Sequence, residues 1–395
     1  MRILFLTPEV PHPPDSGGRL KTGTVLDYLR RDHQLTVLCF RRRPLDDAQS
    51  RWATGFSRFR TLSLNRGRDP LTLARSYRAS VPLSIERNRL PAMAAMVAEE
   101  MSATSFDAAF VDHWLMAQYL PDSFRGVRLL HEHNAEYVVW ERQASRSRNP
   151  LAKWEAVRVR KYEAQIVSRF DRVFCVSEAD RAALIALGAE GARVGILPNV
   201  PDAALLEAPE LRFGDAGTVI NYFGTLSWQP NIDGLVRLLT EVFPLVRERL
   251  PEARFLLAGR DAPSSLQKLA RRTRGVEFLG GVEDAGPLYR RARVLVEATT
   301  TGGGTKLKVL NALARGLPVV ASPEAAEGLD VSDGENILIA RGDVAMAECV
   351  LRLLGDETLW QRLSTGGRSL VREQYVADVA FAALEEALSG VPTRP

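Results

Sequence analysis

The sequence predicts an α/β protein made of two doubly wound domains in tandem, and three observations carry that prediction. The chain has 395 residues, whereas a single hydrophobic core stops growing at roughly 250–300 residues. Short apolar runs alternate with longer segments of helical period, the pattern of a parallel sheet wrapped by helices. The alternation occurs twice, on either side of residues 201–217, a stretch with Pro, Gly and acidic residues but no clear period that reads as a linker.

In the first half the expected strands are 2–7, 34–40, 107–112, 127–134, 172–177 and 193–199, with helical stretches such as 19–31 and 151–170 between them. In the second half they are 219–226, 254–259, 276–281, 294–298, 318–322 and 336–340. The boundaries read as a first domain over 1–200, the linker over 201–217 and a second domain over 218–377.

Composition removes several classes of function. With 46% hydrophobic and 25% charged residues the chain is neither disordered nor fibrous. The net charge of +4 comes largely from scattered arginines. Apart from Arg41-Arg42-Arg43 they form no run and are not interleaved with aromatics, so no nucleic-acid partner is expected. Cys39, Cys175 and Cys349 are too few and too far apart for a disulfide framework or a zinc site. The apolar start after Met1-Arg2 is shorter than that of a signal peptide, and no run is long enough to span a bilayer. The expectation is a cytoplasmic protein whose basic surface leaves room for peripheral contact at the inner face of a membrane. No P-loop occurs and no Gly-x-Gly-x-x-Gly follows the first strand, which argues against kinases and dehydrogenases.

Ligands of doubly wound sheets bind at the carboxyl ends of the strands, and three such loops carry unusual residues. The segment Thr299 to Ser322 reads strand end, glycine turn, helix, glycine stop and new strand. Gly302, Gly303 and Gly304 allow close backbone approach, and a helix opening near Thr305 aims unpaired amides at an anion, a phosphate above all. Lys306 and Lys308 stand in the first turn, where a cation opposes the helix dipole unless an anion is bound there; a plain tight turn with solvated lysines is the alternative. A second loop, 8–18, holds four prolines and the pair Gly17-Gly18 before a helix. The third region brings His113-Trp114 after one strand and His131-Glu132-His133-Asn134 with Glu136 after the next, three of the five histidines of the chain. Strand alternation puts His131 and His133 on one face. Orientation of a substrate hydroxyl, packing in the core, and metal chelation by His-x-His are the open readings; no further ligand is obvious for the last.

The segment 299–322 resembles the donor-site motif of the retaining glycosyltransferases of family 4, in particular a subgroup with Gly-Gly-Gly-Thr-basic-Leu-Lys before the helix and Gly-x-Pro-Val-Val after it. Other stretches are similar to the same family in the same order: Asn221 to Gly234, Phe255-Leu-Leu-Ala-Gly-Arg260, Glu324 to Leu329 and Asp333-Gly-Glu-Asn336 in the second half. In the first half these are Gly17-Gly18, His133-Asn134 with Glu136, Val176 to Asp180 and Leu197-Pro-Asn199. The resemblance implies a GT-B fold, two Rossmann-like doubly wound domains facing each other across a cleft, with a C-terminal helix near 378–395 packing back on the first.

The function it implies is transfer of a sugar, with retention by same-face attack, from a nucleotide-diphosphate sugar to a hydroxyl of a glycan, lipid-linked or natural-product acceptor. The resemblance assigns His133 and Lys306 to catalysis, and Gly17, Gly18, Gly224, Thr225, Gly303, Gly304, Thr305, Lys306, Leu307, Lys308 and Asn311 to the donor. His113, Trp114, His131, Asn134 and Glu136 fall to the acceptor. No cofactor and no metal are expected, since the chain has no Asp-x-Asp. Two departures stand out. Gly303 and Asn311 replace the two glutamates usual in the donor motif, and Thr225 and Asn231 stand where many members place an Arg and a Lys on the diphosphate. Those losses support one rival, a non-catalytic GT-B protein that binds a nucleotide-sugar or a partner transferase; the same-fold rival, a nonhydrolysing nucleotide-sugar epimerase, needs acid/base carboxylates at the donor sugar and is made less attractive by them.

Overall fold

A computed structural model describes residues 1–14, 16–64, 70–282, 284–300 and 306–390. The chain forms two compact units, one of Met1–Pro198 with the segment from Phe381 onward, the other of Asn199–Ala380.

The first unit holds seven parallel strands: β1 (Arg2–Thr7), β2 (Gln34–Arg41), β3 (Arg58–Ser63), β4 (Ala108–Asp112), β5 (Val127–His131), β6 (Arg172–Cys175) and β7 (Val194–Ile196). Their order is β3-β2-β1-β4-β5-β6-β7. The apolar runs foreseen in the sequence are buried because helices cover both faces of a parallel sheet; Ile3, Leu4, Phe5 and Leu6 of β1 are all fully enclosed. Strand β3 was not foreseen. Its sequence Arg-Phe-Arg-Thr-Leu-Ser alternates instead of running apolar, as suits an edge strand that is only half covered. Strand β5 stops at His131, three residues short of expectation, and the chain then turns into the loop that carries His133.

In the second unit, strands β8 (Val219–Phe223), β9 (Arg254–Ala258), β10 (Val276–Gly280), β11 (Val294–Glu297), β12 (Val319–Ala321) and β13 (Leu338–Ile339) are ordered β10-β9-β8-β11-β12-β13. Both sheets therefore wind outward from their first strand in one direction and resume beside it with the fourth. The switch points lie between β1 and β4 and between β8 and β11, where a ligand crevice is expected at the carboxyl ends.

Residues 201–217, read from the sequence as a linker, group with the second unit. They carry the helix Ala203–Glu207 and the turn Phe213–Asp215, and Leu211 is buried in the core of the second unit. Phe213 is covered by the Arg293 guanidinium, 3.9 Å from the ring centroid. Two anchors two residues apart, Leu211 and Phe213, leave no period to read across the stretch. The helix Ala382–Ser389 groups with the first unit, led by Phe381 edge-on to Tyr28 at 5.1 Å.

Two glycines let the loops at the second switch point close up. A Cβ on Gly259 would lie 2.1 Å from the Gly224 carbonyl oxygen, and one on Gly234 would lie 3.2 Å from the Thr299 nitrogen. Any other residue would push these backbones apart. Among the described residues no helix is long and apolar enough to cross a membrane.

Candidate functional site

The site of the first unit is organised by a residue that sequence reading passed over. Asp112 is the last residue of β4 and is completely buried at the switch point. Its Oδ2 accepts from Thr7 Oγ1 (3.1 Å), at the end of β1, and from Thr22 Oγ1 (2.6 Å), in the helix Gly17–Leu29. Its Oδ1 lies 2.8 Å from His131 Nδ1 and 2.8 Å from His133 Nε2. Burial alone would raise its pKa, but the charge of His133 and the hydrogen bonds from both imidazoles hold it well below the usual carboxylate range. A carboxylate only accepts, so both rings must donate. His131 is thereby the Nδ1–H tautomer and His133 the Nε2–H tautomer, which turns a lone pair outward on His133 Nδ1.

Burial, with the Lys21 charge, pushes His131 down to about 3; burial also lowers His133, and burial with the His133 charge takes His113 to about 3. All three are neutral at physiological pH. Lys21 stands beneath them in the helix Gly17–Leu29, itself buried and lowered to about 8 by that burial against the opposing pull of Asp112 and Asp180. Nothing in the sequence distinguished Lys21 from a surface lysine; its place one helical turn after Gly17-Gly18 is the signal.

Around this hub the loop is pinned from below. Asp180 Oδ1 accepts from the Ala135 amide (2.9 Å), and Glu163 accepts from the Glu136 and Tyr137 amides (2.8 and 2.6 Å). Glu136 opens a helix and sits 3.9 Å from His113 Nε2, and burial raises its carboxyl to about 7 although Asn134 hydrogen-bonds it. His113 adopts φ 79°, sparsely populated for any residue but glycine, and its ring meets His133 edge-on at 5.3 Å. His113, His133, Asn134 and Glu136 are thus brought together at one strand end. Two expected acceptor residues are not available there. Trp114 is packed in the core against Tyr162, because an indole this large gains more from burial than from contact with water, and His131 is wholly enclosed and acts through Asp112. Gly17 and Gly18 form the first turn of their helix behind the Ser16 cap, with open space beside Gly18.

Asp112, His131 and His133 also supply the third ligand-type atom that the sequence lacked, all three atoms lying within 4.8 Å of one another. Every short contact in the trio is a hydrogen bond that consumes the lone pairs of Oδ1, and the buried Lys21 cation stands nearby.

In the second unit the equivalent position, the last residue of β11, is Glu297, again fully buried. One oxygen accepts from the Thr299 amide (3.0 Å) and hydroxyl; the other lies 2.7 Å from Lys308 Nζ. Lys308 also donates to Tyr222 OH (2.5 Å) and Asn231 Oδ1 (2.9 Å). Through these two hydrogen bonds and the ion pair Lys308, expected on a donor phosphate, joins β8, β11 and the helix Gln229–Arg237. Lys308 passes close to Gly224, and Asn231 Nδ2 ties the Thr225 carbonyl at 2.7 Å. Glu297, closing an otherwise apolar strand, was a legible sign of this network.

Lys306 is the N-cap of the helix Leu307–Arg315, which has no acidic residue in its first turn, and its Nζ lies 5.9 Å from the Trp228 ring centroid. Leu307 packs against the core, and Asn311 Oδ1 accepts from the Asp202 amide at 3.1 Å. Gly303, Gly304 and Thr305 lie outside the described residues.

Two family matches meet on this chain: Glycosyltransferase Family 4 over residues 24–205 and Glycosyl transferases group 1 over residues 217–356. The chain belongs to this glycosyltransferase family. The glycosyltransferase is similar over 99% of its length to all of Anabaena HepE, solved in complex with UDP and glucose, at 15% identity and a TM-score of 0.69. It is similar over 98% of both chains to sucrose-phosphate synthase of Thermosynechococcus elongatus, at 17% identity and a TM-score of 0.71. At such identities the likeness shows the GT-B fold alone. A 44.6 kDa protein of the cps region of Klebsiella pneumoniae is 19% identical over 97% of this chain and 98% of its own.

Two consequences can be measured. Lys308→Met leaves the Glu297 carboxylate buried without a counter-charge and is expected to cost about 3 kcal/mol in urea unfolding; an unchanged midpoint would mean the pair does not form. For Glu136, the folded pKa of about 7 lies above its ordinary 4.5. Its contribution to stability is thus complete below the unfolded pKa and is lost as pH rises through the folded one. Glu136→Gln cannot ionise, so relative to the parent it should gain about 3 kcal/mol as pH rises from below 4.5 to above about 7. Parallel stability curves for the two proteins would contradict this.

Proposed function

We propose that this protein is a retaining glycosyltransferase that moves a sugar from a nucleotide-diphosphate sugar to a hydroxyl of a glycan, lipid-linked or small-molecule acceptor, without a metal ion. The donor is held by the second unit and the acceptor by the first. The observation that supports the reading best is Lys306 at the N-cap of a helix free of acidic residues in its first turn, just beyond the switch-point strand β11. Helix amides and one ammonium together favour an anion there, and the same groups stabilise the charge that develops on a departing diphosphate.

With Lys308 committed to Glu297, Lys306 carries that neutralisation alone among the two lysines. In the first unit His133, neutral and fixed as the Nε2–H tautomer by Asp112, offers Nδ1 as an acceptor to a sugar or acceptor hydroxyl. Same-face attack needs no protein nucleophile, the leaving phosphate taking the proton of the incoming hydroxyl. The hydrogen bonding and charge around Asp112 favour a metal-free cluster. The capture of Asn311 by the Asp202 amide favours a second reading, nucleotide-sugar binding without transfer, since a side chain expected on the ribose is already engaged.

A thermal-shift series with UDP, GDP, dTDP and ADP, each with and without EDTA, tests the proposal. One diphosphate should stabilise the protein by about 2.7 kcal/mol at a hundredfold excess over Kd, equally with EDTA, and Lys306→Ala should abolish the shift. Stabilisation that EDTA removes would overturn the metal-free reading, and stabilisation without release of nucleoside diphosphate from any nucleotide-sugar and acceptor would favour the binding-only reading.

A further inference from the structure

Two helices of the first unit turn large apolar side chains to water. Helix Pro70–Arg78 buries Thr72 and Ser76, yet Leu71 is 66% exposed, Leu73 45% and Tyr77 42%. Helix Pro150–Val167 packs Ala156, Val159, Ile166 and Val167 inward together with Arg158 and Glu163, and leaves Leu151, Trp154 and Val157 exposed near its start. A helix whose outer face meets only water carries polar side chains there. Half of the large apolar side chains exposed among the described residues lie on these two helices.

The two faces make one rigid ridge. The Tyr77 ring stacks on Trp154 with centroids 4.5 Å apart and planes 13° apart. Arg158 lies beneath both, its guanidinium 4.2 Å from the Trp154 centroid and 5.2 Å from that of Tyr77. It donates to the Ser76 carbonyl (2.5 Å) and hydroxyl (2.7 Å), and pairs with Glu155 at 2.8 Å. A buried arginine, engaged through both terminal nitrogens, holds up two aromatic rings that water alone would not reward exposing.

Exposed cations surround the ridge: Arg75, Arg78, Arg148, Lys153, Arg160 and Lys161. The nearby acids are both paired: Glu141, on the helix Glu136–Arg146, with Arg160, and Glu155 with Arg158 of its own helix. A second copy of the chain meeting this ridge about a two-fold axis would set the same cations against one another. An anionic bilayer offers an apolar layer beneath a negative surface and complements both features, and aromatic rings with a polar edge suit its interface. We propose that this ridge docks the first unit on an anionic lipid bilayer, with Leu71, Leu73 and Trp154 entering the headgroup boundary and the cations meeting lipid phosphates.

The full chain is sedimented with vesicles of phosphatidylcholine alone and of phosphatidylcholine mixed with phosphatidylglycerol. It should pellet with the mixed vesicles and stay in solution with the neutral ones. The double variants L71S/L73S and R75E/R78E should each lower binding about tenfold with unchanged unfolding midpoints. V344S, which alters a side chain 67% exposed in the second unit, should bind like the parent. Equal pelleting with both lipids, no pelleting with either, or variants that bind like the parent would overturn the proposal. So would a lipid-free dimer that L71S/L73S dissociates, which would give the ridge to a second copy. The readout does not involve sugar transfer, so its failure and that of the transferase reading are separate events.

Discussion

Each sheet is held at its switch point by one buried carboxylate, Asp112 at the end of β4 and Glu297 at the end of β11, the same position in the winding of both units. A carboxylate removed from water is costly unless its lone pairs are filled. Asp112 meets that cost with two threonines and two histidines, Glu297 with Thr299 and Lys308. The groups that satisfy the charge come from different elements: β1, a helix, β5 and the following loop in one unit, the loop after β11 and the helix Leu307–Arg315 in the other. What makes burial tolerable therefore also fixes the loops where a ligand would bind.

The two carboxylates leave different chemistry behind. Around Asp112 the neighbours are imidazoles, so the carboxylate sets which ring nitrogen carries the proton and hands His133 on as an oriented acceptor. Around Glu297 the neighbour is an ammonium that also bonds Tyr222 and Asn231, which makes Lys308 a strut and leaves Lys306, itself buried, as the lysine at the N-cap of the helix. Placing a lysine on the donor by motif alone could not separate the two, because residues 306 and 308 differ only in where their side chains turn after the glycine-rich segment.

Much of this was legible in the sequence where one physical rule acts alone. Strands buried on both faces must be apolar, so nearly all of them showed as apolar runs; β3 escaped because an edge strand obeys that rule on neither face. The segment 201–217 escaped because Leu211 and Phe213 are isolated anchors without period. His113, His133, Asn134 and Glu136 were legible as unusual residues at strand ends. Asp112 was not, since an aspartate closing a strand reads as a turn residue until its four donors, drawn from residues 7, 22, 131 and 133, are seen together. Trp114 and His131 misled for the opposite reason: chemistry-bearing side chains next to a site can point into the core.

The most direct measurement is the tautomer state of the histidines by long-range 1H–15N NMR at neutral pH. A neutral His133 protonated at Nε2 and a neutral His131 protonated at Nδ1, both patterns lost in Asp112→Asn, is the predicted result. An imidazolium at either position, or His133 protonated at Nδ1, would mean that Asp112 does not organise the site.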